Sequence, residues 1–225
     1  EETYKFIDEN LSKAATKLAG VKGAVASMFL TTDAVSAMQA RVALYKGDYA
    51  TAATKASALV DGGKYPLISV ANGAVVDKAL ENFVDLWTND SGAECMMQLY
   101  ADYEASSLPS SLDYYYISLN ASGIYAPDYI PEKWLINLYS NNDIRKAVWF
   151  GTHKLTYQNI NGNAVIFKKF PGNPTLQDPK KATSDYINKI KLFRVAEQYL
   201  IAAEAYAYSG NEDKANEYLN ALRSA

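Results

Sequence analysis

The chain has one cysteine, Cys95, and one histidine, His153. A lone thiol excludes an intrachain disulfide framework and any multi-cysteine metal site. A Cys95–His153 couple is the sole thiol-nucleophile arrangement available, and nothing in the local sequence of either residue supports it. No serine lies in a nucleophile-elbow pattern. Glycine-rich phosphate loops and dinucleotide fingerprints are missing, so no cofactor is expected; Gly20 and Gly23 sit where a helix ends. Charge of one sign is also lacking. The 22 Lys and Arg residues against 25 Asp and Glu give a net charge of −3. With the basic residues scattered, there is no concentrated positive surface to attract nucleic acid. No apolar run is long enough to span a bilayer. No targeting signal opens the sequence, and both ends, Glu1-Glu2-Thr3 and Arg223-Ser224-Ala225, are expected to continue in a longer chain.

What is present is an ordinary globular composition, 49% hydrophobic and 21% charged, on a chain long enough to bury a core. Its 18 Tyr against 7 Phe and 3 Trp are unusual. Most rings therefore carry a polar edge, which suits half-exposed contact surfaces as well as helical packing.

Helical periodicity is concentrated at the two ends. Tyr4, Ile7, Leu11, Ala14 and Leu18 lie on one face of a helix. Thr31-Thr32-Asp33 offers capping oxygens for a helix over 34–46, and Gly47-Asp48 turns the chain into a second helix ending at Gly62-Gly63. The C-terminal stretch repeats this scheme, with helices predicted over 184–209 and 212–222 around Gly210. Gly47 and Gly210 each precede an alanine by five residues, as in tetratricopeptide-type hairpins. A mainly α fold of TPR-like helical hairpins with long irregular loops and a few short strands follows, treated as one domain over 1–225. Hairpins over 32–60 and 184–223 bracket a loop-rich region, 64–183. In that region the sequence predicts helices over 79–87 and 131–139, a buried strand or helix around Cys95, and a short strand at 165–167.

Two kinds of chemistry remain. Glu197 and Glu204 are seven residues apart on one helical face, roughly 10 Å by helical rise, near an inverting glycosidase's range. Their Ala, Leu and Tyr surroundings favour a framework role. The alternative is sugar recognition without bond cleavage: pyranose C–H faces stack on flat rings while amides bind the hydroxyl rim. Tyr114, Tyr115 and Tyr116 are consecutive, so alternation on any strand leaves at least one facing outward. Trp87, Tyr125, Trp134 and Trp149 complete the candidate platform, each set against the ordinary habit of Trp to be buried.

Several segments, in order, resemble the SusD/RagB-like family. They are Ala43 to Leu59 followed by Gly63-Lys64-Tyr65-Pro66-Leu67; Phe83 to Leu99 with Asn89 and Glu94; and Tyr125-Ala126-Pro127 with Asp143-Ile144-Arg145-Lys146. Phe167-Lys168-Lys169-Phe170, the string Arg194-x-Ala196-Glu197-x-x-Leu200-x-x-Ala203-Glu204-Ala205, and Leu219-Asn220-x-Leu222-Arg223 continue the series. The resemblance implies a non-enzymatic, surface-exposed outer-membrane lipoprotein that captures oligo- or polysaccharide for nutrient uptake. It would cap a SusC-like TonB-dependent transporter, with the hairpins as scaffold for that contact. The family's lipid-bearing cysteine would lie upstream of this sequence, and Cys95 does not correspond to it. Val195 and Gln198 depart from the residues usual around the Arg-x-Ala-Glu core. A protein-binding TPR scaffold and a glycoside hydrolase are the other readings.

Overall fold

The computed structural model describes residues 2–21, 27–68, 77–92, 94–101, 125–157, 160–180 and 187–225. Along the chain, α1 (Glu2–Leu18), α2 (Thr32–Lys46) and α3 (Tyr49–Asp61) precede α4 (Asp77–Thr88) and β1 (Cys95–Gln98). Two short helices, α5 (Lys133–Asn137) and α6 (Ile144–Trp149), lead into β2 (Phe150–Tyr157) and β3 (Ile160–Phe167). After a 3-10 turn at Pro174–Leu176 come β4 (Lys191–Arg194), α7 (Val195–Tyr208) and α8 (Glu212–Ser224). The fold is mainly α, as expected. Two compact units are present. One comprises Glu1–Ser69, Gly92–Leu99 and Ile190–Ala225; the other comprises Val70–Ser91 and Tyr100–Lys189.

The first unit is built on helical hairpins whose turns share one chemistry. Gly47 (φ 80°) ends α2 in the left-handed conformation, and the Asp48 carboxylate then accepts the Thr51 N–H at 3.1 Å to start α3. Gly210 (φ 75°) and Asn211, which accepts the Lys214 N–H at 3.1 Å, do the same between α7 and α8. A side chain at either glycine would meet no neighbour, so the demand there is purely one of backbone angle. Thr31 caps α2 by accepting the Ala34 N–H at 3.1 Å.

Alanine lets these helices approach closely. Ala40 and Ala43 of α2, Ala52, Ala53 and Ala56 of α3, and Ala202, Ala203 and Ala205 of α7 form one buried cluster with Ile201 and Tyr218. Tyr218 closes it from α8: its ring stacks on Tyr206 (5.7 Å, 9°) and its hydroxyl donates to Asp61 at 2.9 Å. A second cluster joins Ala34 and Ala37 of α2 to Met96, Phe193 and Val195.

β1 and β4 pair antiparallel, Cys95 opposite Arg194 and Met97 opposite Phe193. Glu94, 3% exposed, ties this region together. Its carboxylate accepts the Arg194 guanidinium and the Ile68 N–H, both at 2.8 Å, while its backbone carbonyl accepts the Val195 N–H at 2.9 Å. Arg41 makes a matching clamp. It donates to both Glu197 oxygens at 2.6 Å and to the Leu192 carbonyl at 2.7 Å, with its guanidinium 4.3 Å from the Phe193 ring centroid. Bidentate pairs of this kind fix orientation as well as charge. Cys95, the first residue of β1, is buried and forms no disulfide.

The continuous helix predicted over 184–209 is corrected here: residues 191–194 are strand, and α7 starts at Val195. Pairing with β1 buries Phe193 to 1% exposure, a tertiary gain that local helical periodicity does not register.

In the second unit, β2 and β3 form an antiparallel ladder from Phe150–Phe167 to Tyr157–Ile160. The short strand expected at 165–167 is thus the end of an eight-residue β3. The helix expected over 131–139 is only α5, and the six-residue α6, capped by Asp143 at the Arg145 N–H (2.9 Å), was not foreseen. Phe83, Leu86 and Trp87 of α4, Leu155 of β2 and Ile166 of β3 are buried in this unit. The end of α4 is held by buried Asn188, whose amide donates to the Trp87 and Thr88 carbonyls at 3.1 and 3.2 Å and to Asp90 at 3.2 Å. Helix ends need such partners when buried. Asn173 adds a 2.8 Å bond to Asp90, which sits at φ 54°.

Burial lifts the Glu94 carboxyl above its usual range, outweighing the opposing pull of Arg194 and the Ile68 N–H. A raised folded-state pKa means that the folded form binds the proton more tightly. The Glu94 term therefore favours folding fully below the ordinary value of 4.5 and is lost as pH rises through the folded value. Denaturant melts of wild type and Glu94→Gln should show wild type losing stability relative to the variant across that rise. A stability difference that stays flat, or turns the other way, would refute the assignment.

Candidate functional site

The described aromatic side chains of the second unit occupy three settings. The first is packed. Trp87, at the end of α4, is 2% exposed, with Trp149 at 5.6 Å (86°), Phe170 at 5.3 Å (84°) and Phe83 at 6.2 Å. Lys169 Nζ lies 4.6 Å from the Trp87 ring and 4.5 Å from that of Trp149. A cation among indole faces is attracted by the ring quadrupoles, more so where water is thin. Trp149 is half-buried at the end of α6, with Phe83 at 5.8 Å and Tyr139 at 6.5 Å. The structure thus brings two sequence-selected tryptophans together, but as the two walls of a filled box. With its faces covered, Trp87 offers no landing surface to a ligand, and that expectation is corrected.

The second population stands in water. Trp134 on α5 is 65% exposed, and Tyr129, Ile130 and Leu138, within five residues of it in sequence, are 62%, 42% and 73% exposed. Pro127 and Pro131 are both buried, so two rigid φ angles pin the chain on either side of Tyr129 before the helix starts at Lys133. Five residues are too few for an apolar stripe to turn inward, and no residue of α5 is buried. The backbone here is anchored while the rings are not covered. Several large exposed apolar residues within one short segment make it a candidate contact surface.

Tyr125 occupies a third setting. It bridges to Leu155 in parallel beside the hairpin, and its half-buried ring lies 4.2 Å from the His153 imidazole at 42°. Tyr114, Tyr115 and Tyr116 lie outside the described residues. Tyr129 was missed from sequence because nothing periodic marks it; its flanking prolines are the one local signal.

The carboxylates considered for hydrolysis are placed differently. Glu197 is held at both oxygens by Arg41, and Glu204 is exposed on α7. Among the described residues no group of three or more His, Cys, Asp and Glu side chains is arranged to hold a metal. No described helix is long and apolar enough to cross a membrane.

The described residues thus comprise a helical-hairpin unit and a second unit with outward aromatic side chains. The SusD family model matches residues 158–224. Over its whole length the chain is similar in fold to a SusD superfamily protein from Bacteroides thetaiotaomicron, with TM-score 0.70 and 23% identity, covering 98% of this chain and 46% of that one. A SusD-like carbohydrate binding protein from Bacteroides vulgatus gives TM-score 0.72 at 18% identity, over 100% and 43%. Surface glycan-binding protein A from Bacteroides uniformis gives 0.63 at 15%, over 97% and 48%. The family match is thus confined to the C-terminal third, the likeness to these solved proteins is one of fold, and the chain spans less than half the length of these three proteins. A search of curated protein sequences finds no match.

The two aromatic populations should respond differently to truncation. Trp87→Ala is expected to lower stability by about 3–5 kcal/mol, as for other large core aromatics. Trp134→Ala should stay within about 0.5 kcal/mol, as at exposed sites. Thermal melts check both, and comparable losses at the two positions would overturn the division.

Proposed function

We propose that this protein is a non-catalytic glycan-binding protein that holds oligo- or polysaccharide by ring stacking and amide hydrogen bonds. The observation that carries the reading is Trp134 standing 65% exposed on α5, five residues after the exposed Tyr129. A pyranose presents a flat C–H face that matches an uncovered indole, and such stacking adds about 0.5–1.5 kcal/mol beyond area burial. Fold relatives described as carbohydrate binding and as surface glycan-binding support it. Tyr114, Tyr115, Tyr116 and Tyr125 are proposed as further contacts to the glycan.

On this reading the protein works at the cell outer membrane, exposed on the surface and lipid-anchored upstream of this sequence. It passes captured glycan to a SusC-like TonB-dependent transporter, and the helical unit makes that contact. Tyr45 is 74% exposed and Tyr208 65% exposed, the latter stacked on Tyr49 at 4.5 Å. These outward rings on the hairpins suit a protein partner. They also favour the second reading, a TPR-type interaction scaffold without sugar binding.

Affinity electrophoresis through a panel of polysaccharides separates the two. Retardation by at least one glycan is expected, with Trp134→Ala and Tyr115→Ala each weakening it several-fold. No retardation by any glycan, with intact partner binding, would favour the scaffold. Unchanged affinity in both variants, at unchanged melting temperature, would remove the aromatic platform.

A further inference from the structure

From Ile144 to Gln177 the sequence contains no Asp or Glu, yet it carries Arg145, Lys146, Lys154, Lys168 and Lys169. In a chain of net charge −3 this is a local reversal of sign. Three of these cations are already engaged. Arg145 donates to both Asp143 oxygens (2.9 and 2.6 Å), Lys146 donates to the Tyr139 carbonyl and to Asn141, and Lys169 fills the Trp87–Trp149 box. Lys168 has no hydrogen-bond or ion-pair partner for its ammonium among the described residues.

Its position is built by the hairpin. The Lys168 N–H donates to the Trp149 carbonyl at 2.7 Å, continuing the β2–β3 ladder by one pair. Lys168 therefore shares a face with Gly151 and His153, because directly opposed residues point the same way and alternate residues repeat. Glycine at 151 makes the arrangement possible. A methyl group there would stand 2.6 Å from Lys168 Cδ and 2.9 Å from His153 Nε2, so both side chains cross the same bare stretch of backbone. Tyr125 packs against the imidazole from the neighbouring segment at 4.2 Å. Burial first, and the Lys168 charge second, hold the imidazole below its usual range, in keeping with an uncompensated cation beside it.

We infer that Tyr125, His153 and Lys168 form a subsite for an anionic saccharide, one bearing a carboxylate or sulfate group. Tyr125 supplies an aromatic surface for the sugar, the His153 ring nitrogen meets its hydroxyl rim, and Lys168 takes the negative group. The assignment rests on the glycan-binding reading above and narrows its ligand class. A carboxylate or sulfate arriving at Lys168 gains a charge-assisted hydrogen bond that an uncharged sugar lacks.

The test is isothermal titration of the whole chain with three saccharides of similar length: an oligogalacturonide, a sulfated oligosaccharide and an uncharged gluco-oligosaccharide. At least one charged ligand should bind better than the uncharged one, and the comparison of the two identifies which acid is preferred. Lys168→Gln should weaken the charged ligand about tenfold, the usual scale for losing a charged hydrogen bond, and leave uncharged binding alone. Added salt should erode the preference. Tyr125→Ala should weaken charged and uncharged sugars alike. An uncharged ligand bound as well as, or better than, both charged ones would overturn the subsite while leaving glycan binding intact. So would a Lys168→Gln variant that folds normally and keeps the charged affinity. Absence of binding to all three, and to every polysaccharide in the electrophoretic panel, would overturn both readings together.

Discussion

Close approach of helices across an alanine seam is the constraint on which the helical unit depends. Where Ala40, Ala43, Ala52, Ala53, Ala56, Ala202, Ala203 and Ala205 meet, no side-chain volume remains to be filled. Packing there is dispersion between backbones and methyl groups, dense and intolerant of added atoms. The two hairpin turns must then deliver each helix at the right height. Gly47-Asp48 and Gly210-Asn211 do so with the same pairing of a left-handed glycine and a side-chain cap. Larger side chains are displaced to the ends of the seam, where Tyr218 meets Tyr206 and Asp61, and to the second cluster under Phe193.

Around that frame the charged groups act as clamps. Arg41 and Glu197 tie α2 to α7, and Glu94 ties the start of β1 to Arg194 and to the backbone at Ile68. These pairs account for why a strand of four residues can be inserted immediately ahead of α7. Arg194 and Glu197, which in sequence look like parts of a single helical string, belong to different elements and hold different partners. The carboxylate pair that suggested hydrolysis is divided in the same way, one member clamped and the other exposed.

Much of this was legible in the sequence. Residues 32–60 and 212–222 read correctly because capping oxygens, terminal glycines and alanine spacing are local signals, and all agree with the packing. The hairpin of β2 and β3 was not legible beyond 165–167. Its residues gain their conformation from each other across the ladder, with Gly151 placed for the sake of Lys168 and His153. Phe193 was likewise assigned to a helix, because its period fits one and its strand partner lies nearly a hundred residues away. For the candidate site, composition drew attention to tryptophan and tyrosine in the central region, but the same composition describes Trp87 and Trp134.

Sequence alone thus determined the helical hairpins, their turn chemistry, the lack of nucleotide motifs and the aromatic character of the middle. Those properties depend on side chains within a turn or two of one another. Only the tertiary structure decided which rings are covered, which carboxylates are clamped and which charged side chains lie against the His153 ring. Burial and electrostatic neighbourhood depend on residues far apart in the chain, and the physics that separates Trp87 from Trp134 acts through those distant neighbours.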